Sequence, residues 1–254
     1  MKKFNFFSLT LLTALFIIFS GCSKDDDHDH NHLQDGKVVL DFDHVFGPNQ
    51  EEFQLNKEYT HPRLNEKMTF TTFKYYVSNI KLVNKDGNKV EFPDNYFIID
   101  VGGSTKIILD NVKGGEYTGV ELMLGVDSVR NESGAQTGAL DPMNGMFWSW
   151  NSGYIMIKAE GTSPDAESGN FAFHLGGFKG ENKVQTIKNF SFGTDVLTVD
   201  GDREAEIHIK ANVARLWHSA EKLAVRSKTH MPGAVAKSMS ADFYEGVRFD
   251  HIHN

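Results

Sequence analysis

Histidine and tryptophan side chains are the groups in this sequence best suited to chemistry. The chain contains eleven histidines and three tryptophans but a single cysteine. His44 ends a run of alternating apolar residues, and one leucine separates His174 from a pair of glycines. Trp148 and Trp150 bracket one serine. Imidazole is the commonest metal ligand among protein side chains, so a histidine at the end of a strand is a candidate ligand.

Each candidate also has a structural interpretation, and the residues alone leave both open. His44 shares a strand face with Val38, Leu40 and Phe42, which is also typical of a core histidine with a hydrogen-bonded ring. His174 points away from the apolar face of its own strand, so simple exposure is the alternative. The tryptophan pair could instead close one end of a sandwich with large aromatic rings.

Other histidines give weaker signals. His208 alternates with Ile207 and Ile209, which predicts an ordinary solvent-facing side chain. His251 and His253 are two residues apart near the C-terminus and would share a strand face. That spacing suits either a shared metal ion or simple exposure, and the sequence does not separate the two.

Several functional classes lack support in the sequence. The chain has no G-x-S-x-G, P-loop or H-E-x-x-H motif, so nothing local indicates a serine hydrolase, a P-loop enzyme or a zinc metalloprotease. The net charge is −8 and the pI is near 5.7. No basic stripe is available to neutralise phosphates, which excludes nucleic acid as a partner.

The elements that must position the candidates are predicted to be short strands. Segments with period-two alternation or many β-branched and aromatic residues cover 37–44, 70–82, 89–92, 96–101, 106–109, 117–126, 153–161, 170–175, 183–189 and 205–213. Turn residues separate them, including a hairpin turn at Asp86 and Gly87. Many short strands without intervening helices predict an all-β fold, an antiparallel β-sandwich.

Two regions depart from the strand pattern. Residues 216–225 have a weak helical period, and Pro232 marks the first turn of a helix predicted over 232–243, so a small C-terminal helical segment is expected. The connection from Asp127 to Trp150 is long for a compact β-domain, and such loops tend to be functional or disordered. Because it closes with bulky apolar residues, we expect this one to be ordered.

The N-terminus predicts export. Residues 1–21 combine a basic start, a short apolar run and small residues, which is typical of a lipoprotein signal peptide. Cys22 then becomes the lipidated first residue of the mature protein; the alternative is an ordinary signal peptide with a chance cysteine. Cys22 is the only cysteine, so it cannot form an internal disulfide.

An acidic and histidine-rich tether is predicted over residues 22–36, before a single domain over 37–254. Residues 23–32 include no apolar side chain and should remain solvated. His28, His30 and His32 could bind a divalent metal weakly, although a plain spacer is favoured. The acidic run at 23–27 resembles the export signal of surface lipoproteins in the Bacteroidetes. We therefore expect an outer membrane lipoprotein that faces the periplasm or the cell surface.

Several segments resemble the MbnP-like copper-binding family, named after a protein encoded beside methanobactin synthesis genes. The most specific are GMFWSWNSGYIMIKAEG (145–161) and FAFHLGG (171–177), followed by LDFDHVFG (40–47), FKYYVSNIKL (73–82) and YTGVELMLGVDSVRN (117–131). Their order and spacing match the family over most of residues 37–217. The closing DHIHN resembles only some members.

The resemblance implies an extracytoplasmic β-sandwich that binds copper as its cofactor. It further implies that a partner dihaem enzyme of the cytochrome c peroxidase type oxidises one tryptophan to kynurenine. Carried over by position, the ligands would be His44, His174 and one of Trp148 or Trp150. Some relatives follow the HLG motif with cysteines, whereas this chain does not, so a disulfide-stabilised loop is absent here.

These implications predict a protein that holds copper and is not an enzyme. The alternative from the residues is a non-metal binding or adhesion sandwich, in which the histidines and tryptophans are structural. A small electron-transfer or oxidase-type copper enzyme is a third possibility. It is disfavoured because a blue-copper site requires a cysteine ligand.

Overall fold

The computed structural model describes residues 33–93, 95–149, 153–201 and 203–254, and most of its elements are strands. In chain order they are β1 (Gly36–Phe46), β2 (Glu51–Glu52), β3 (Glu58–Thr60), β4 (Lys67–Asn84), β5 (Lys89–Glu91), β6 (Tyr96–Asp100), β7 (Lys106–Val112), β8 (Gly115–Leu124), β9 (Phe147–Trp148), β10 (Gly153–Thr162), β11 (Asn170–Gly176), β12 (Thr186–Ser191), β13 (Leu197–Val199), β14 (Ala205–Asn212), β15 (Lys228–Thr229) and β16 (Val247–His253). The α-helices are α1 (Ser128–Glu132) and α2 (Ala234–Glu245), and single 3₁₀ turns cover Gly138–Leu140, Pro142–Asn144, Gly180–Asn182 and Val213–Trp217.

The strands form two sheets. The smaller has the order β16-β14-β1-β2, with β7 also paired to β1. The larger has the order β12-β8-β4-β10-β11-β15, and the short strands β3, β5, β6, β9 and β13 add to it. Most pairs are antiparallel, as predicted, but β1 and β14 run parallel, and so do β11 and β15. The all-β sandwich prediction is therefore confirmed, with these two parallel pairs as its exceptions.

The core lies between the sheets because the strands alternate in burial. Along β14 every second residue is buried, and β1 turns Val38, Leu40 and Phe42 inward. Phe42 of the smaller sheet meets Tyr75 of the larger sheet edge-on, with ring centroids 6.1 Å apart. Alternating apolar side chains on a pleated strand thus produce one apolar face per sheet, and burial of these faces against each other stabilises the sandwich.

The predicted C-terminal helix is present, but residues 216–225 do not form one. Helix α2 covers nearly the predicted span, whereas the preceding segment has only the 3₁₀ turn at Val213–Trp217 and one further turn near Leu223. The carboxylate of Glu66, itself buried, accepts the backbone N–H of Leu223 at 2.8 Å. Leu216, Trp217 and Leu223 are all buried, so their helical spacing reflects core contacts of an irregular segment.

The long connection after β8 is ordered, as expected, over its described residues 125–149. Asp127 caps α1 by accepting the backbone N–H of Arg130 at 3.0 Å. The side chain of Asn131 is fully buried, and its oxygen accepts the backbone N–H of Tyr154 at 3.0 Å. These bonds fix the connection to β10, with which Trp148 pairs at Gly153. Trp150 lies outside the described residues.

The predictions for the N-terminus concern residues that the structure mostly does not describe. The signal peptide, Cys22 and the tether as far as residue 32 lie outside the described part. From Leu33 to Asn254 the described chain forms one compact unit. Within the described ranges, no helix has the length and apolar character needed to cross a membrane.

Candidate metal centre

His44 lies near the C-terminal end of β1, and its side chain faces the core. It is 8% exposed, and its Nε2 lies 3.2 Å from the hydroxyl oxygen of the fully buried Tyr75. The rings of Phe73 and Tyr75 contact the imidazole edge-on. Burial lowers the pKa of His44 to about 4, against smaller opposing effects of the backbone and Asp43. His44 is therefore a neutral histidine at pH 7, with one ring nitrogen on a tyrosine hydroxyl.

His174 faces the other side of the larger sheet. In the register of β10 and β11 it lies opposite Lys158, while Leu175 lies opposite Ile157. Leu175 and Ile157 are fully buried, and Ile157 in turn lies opposite Tyr75 of β4. Tyr75 therefore belongs to the inner face and His174 to the outer face. Because His44 contacts Tyr75, a sheet separates the two predicted histidine ligands, and the structure does not bring them together.

A carboxylate and a second imidazole surround His174. Its Nε2 lies 2.7 Å from Oε1 of Glu160, and the exposed ring of His230 stacks on it with centroids 4.4 Å apart. Burial lowers the pKa of His174, although the bond to Glu160 opposes this effect. Burial alone would raise the pKa of Glu160, but His174 and Lys158 together lower it. The pair is therefore a carboxylate that accepts from a neutral imidazole, and Nδ1 keeps its lone pair.

Trp148 lies on this same outer face. The residue is 5% exposed and pairs with Gly153 at the start of β10. A Cβ atom at Gly176 would come within 2.7 Å of the Trp148 ring and of the Tyr154 carbonyl oxygen. Gly176 follows His174 by two residues on β11, so both positions face the same side, roughly 7 Å apart along the strand. The missing side chain of Gly176 thus lets the indole lie over this position, two residues along β11 from His174.

The arrangement can hold a metal ion, although only part of it was predictable. In most metal-binding histidines, one ring nitrogen binds the metal and a carboxylate or carbonyl accepts a hydrogen bond from the other nitrogen. Glu160 shares the outer face of β10 with Lys158, and strand periodicity could have identified it. His230 gives no such signal, because it comes from an irregular segment far along the sequence. The indole of Trp148 offers no lone pair to a metal in its unmodified form.

Comparisons with known proteins agree with this fold. The family model described as MbnP matches residues 35–234. Among solved structures, MbnP from Methylosinus trichosporium is similar with a TM-score of 0.51 and 15% sequence identity, over 80% of this chain and 83% of that chain. At that identity the likeness shows a shared fold. A search among curated proteins found no match.

Proposed function

Because the chain belongs to the MbnP family, we propose that it binds copper outside the cytoplasm and holds the metal without catalysing a reaction. The main support in the structure is that the Trp148 indole lies over Gly176, two residues from His174 on the same face of β11. These residues belong to the two segments that most closely resemble the family. The proposed centre therefore consists of His174, which Glu160 orients, the stacked ring of His230, and Trp148 two residue positions away along the same face.

The donor set suits copper. His174 is a neutral imidazole, and neutral imidazole nitrogen binds copper well. Copper binds tightest among the divalent first-row ions to a given set of nitrogen and oxygen ligands. Glu160 accepts from Nε2 of His174 and so directs the Nδ1 lone pair towards a metal. His44 lies on the other side of the sheet and enters this proposal as a core residue.

Conversion of a tryptophan to kynurenine would add a nitrogen ligand. Two oxygen atoms add across the C2–C3 bond of the indole, this bond breaks, and hydrolysis releases one carbon as formate. The product has an aryl amine and a ketone, and the net exchange of one carbon for one oxygen adds about four mass units; the amine is a nitrogen donor that suits copper. A partner dihaem enzyme of the cytochrome c peroxidase class would carry out the oxidation with peroxide, two molecules of which would supply the two oxygen atoms and leave two molecules of water.

We expect protein from the native host, or protein coexpressed with its oxidase, to carry this mass increase at Trp148 or Trp150. His174→Ala should weaken copper binding at this centre by about 10-fold to 100-fold, because one of few nitrogen ligands is lost. Trp148→Phe should likewise weaken copper binding, because phenylalanine cannot be converted to kynurenine. Peptide mass analysis and copper competition titrations on variants shown to be folded would measure both effects.

The matched control is His218→Ala, which removes an exposed histidine in another part of the chain. Its copper binding should equal that of the wild type. If folded His174→Ala and Trp148→Phe proteins also bind copper like the wild type, and no tryptophan is modified, the assigned centre is wrong. A sandwich with structural histidines would then be the better interpretation.

The proposed location has its own test. Cys22→Ala should abolish lipid labelling and move the protein from the membrane fraction to the soluble fraction, because acyl chains supply the membrane affinity. Labelled palmitate and membrane fractionation would measure these changes. A conservative Ser23→Ala variant should behave like the wild type. Unchanged labelling and membrane association of Cys22→Ala would contradict the lipid anchor, and would leave the copper proposal standing.

A further inference from the structure

A second group of histidines lies on the outer face of the smaller sheet. His208 of β14 lies opposite His251 of β16, and their rings stack with centroids 4.4 Å apart and planes 4° apart. The ring of His253 stands edge-on to both, at 5.1 Å and 4.7 Å. Each of the three histidines presents a nitrogen, and these nitrogens all lie within 4.8 Å of one another.

A β-bulge in β16 brings the two terminal histidines to this face. His208 lies opposite His251, but the next residue of β14 lies opposite Phe249, so Asp250 is an extra residue in β16. Phe249 before the bulge and Ile252 after it both pack against the core. The bulge therefore restores the apolar face after Asp250 and turns His251 and His253 outward. It also places the Asp250 carboxylate next to the His251 ring.

Carboxylates hold the Nδ1 atoms of two of the rings. The Nδ1 atom of His208 lies 2.9 Å from Oδ2 of Asp43, and that of His251 lies 2.8 Å from Oδ2 of Asp250. Each carboxylate accepts the Nδ1 proton, which leaves the lone pair of the neutral ring on Nε2. This is the arrangement in which outer carboxylates orient metal-binding imidazoles.

The Nε2 atoms converge on one small volume. His208 Nε2 is buried and makes no well-formed hydrogen bond, although a carboxylate oxygen of Glu206 lies 3.4 Å from it. The Nε2 atoms of His251 and His253 are 3.0 Å apart. This separation suits a shared metal ion, because two nitrogen ligands that each lie about 2.0–2.1 Å from one ion are roughly 3 Å from each other. In the structure this separation is that of a hydrogen bond between the two rings.

We propose that His208, His251 and His253 bind one divalent cation of the copper and zinc class through their Nε2 atoms. Imidazole is the ligand that both metals share, and three imidazoles leave a further coordination position for water. β16 is an edge strand and His253 is exposed, so the site opens to solvent. His251 and His253 lie beyond the residues that the family model matches, so this site is separate from the proposed copper centre, on the outer face of the other sheet.

The test uses the full chain produced without a modifying enzyme and titrated with Zn²⁺ and with Cu²⁺. The double variant His251→Ala/His253→Ala should lose one bound equivalent of each metal, with an affinity loss of at least about 100-fold. Asp43→Asn keeps the ligands but removes the charge that orients His208, and should weaken binding by about 10-fold to 100-fold. Calorimetry gives the affinity, and the Cu²⁺ spin-resonance spectrum of the double variant should lack the signal of the second bound equivalent with its nitrogen couplings.

Two controls separate this site from the proposed copper centre. His218→Ala should bind both metals like the wild type, and His174→Ala should retain the equivalent that the double variant loses. Both altered histidines of the double variant face outward, and circular dichroism would establish that the sheet is intact. Should the double variant keep the stoichiometry and affinity of the wild type, these histidines would form only a hydrogen-bonded stack, whatever the outcome at His174.

Discussion

Trp217→Ala should lower the free energy of unfolding by about 3–5 kcal/mol, because a fully buried indole is replaced by a cavity. The Trp217 side chain is inaccessible to solvent. Its ring contacts Phe173, Phe70 and Phe171 edge-on, with centroids 5.2, 5.6 and 5.8 Å away. Removing the indole exposes three aromatic partners to empty space, and the strands that carry them cannot close the gap. Urea unfolding of both proteins would measure the difference.

Trp217→Phe is the matched comparison. The indole N–H of Trp217 is buried without a hydrogen-bond partner, so phenylalanine retains much of the packing and removes an unsatisfied donor. Trp217→Phe should therefore lower the free energy of unfolding much less than Trp217→Ala does. Equal unfolding midpoints for Trp217→Ala and the wild type would contradict the core position. The same residue is an internal control for oxidation, since we expect kynurenine in the Trp148–Trp150 segment and none at Trp217.

The sandwich was predictable because burial in strands follows a local rule. Each residue of β1 and β14 faces inward or outward according to its position in a period of two, and the sequence shows this period directly. The turn at Asp86 and Gly87 likewise depends on neighbouring residues, and it connects β4 to β5 as predicted. The parallel pairing of β1 with β14 joins segments far apart in the chain, and no local pattern encodes it.

The candidate centres were less predictable because they depend on pairing between distant strands. His44 faces inward and His174 outward, as their alternation indicates, but only the register through β4 and β10 shows that they lie on opposite faces of a sheet. His208 faces outward as predicted, yet its contacts with two other histidines were not foreseen. Unbroken alternation in β16 would turn His251 inward with Phe249. The bulge at Asp250 reverses this, and a period of two cannot reveal a bulge.

His44 should make the fold sensitive to acid. The pKa of its imidazole is about 4 in the folded protein, against a usual value of 6.5, because burial disfavours the charged ring. Above pH 6.5 the ring is neutral in both states, and its contribution to stability is fully present. Below that pH the unfolded chain binds a proton that the folded chain does not, so stability falls. Between pH 7 and pH 4 the expected loss is about 3 kcal/mol.

His44→Gln isolates this contribution. Glutamine does not titrate, and its amide can still contact the hydroxyl of Tyr75, so the variant should lose less stability than the wild type between pH 7 and pH 4. All other titrating groups are common to both proteins, so their effects cancel in the difference between the two free energies of unfolding. Urea unfolding at several pH values would measure this difference. Parallel pH profiles would contradict a neutral, buried His44.

The same pair of proteins tests whether His44 is a copper ligand, as the family resemblance implies. Copper on Nε2 of His44 would have to replace the contact with Tyr75 inside the core. If copper binds only on the outer faces, it should raise the unfolding midpoints of the wild type and His44→Gln equally at pH 7, because ligands stabilise a fold through the sites they occupy. A smaller rise in His44→Gln would make His44 a ligand, and the two sheets would then have to separate around it for copper to enter.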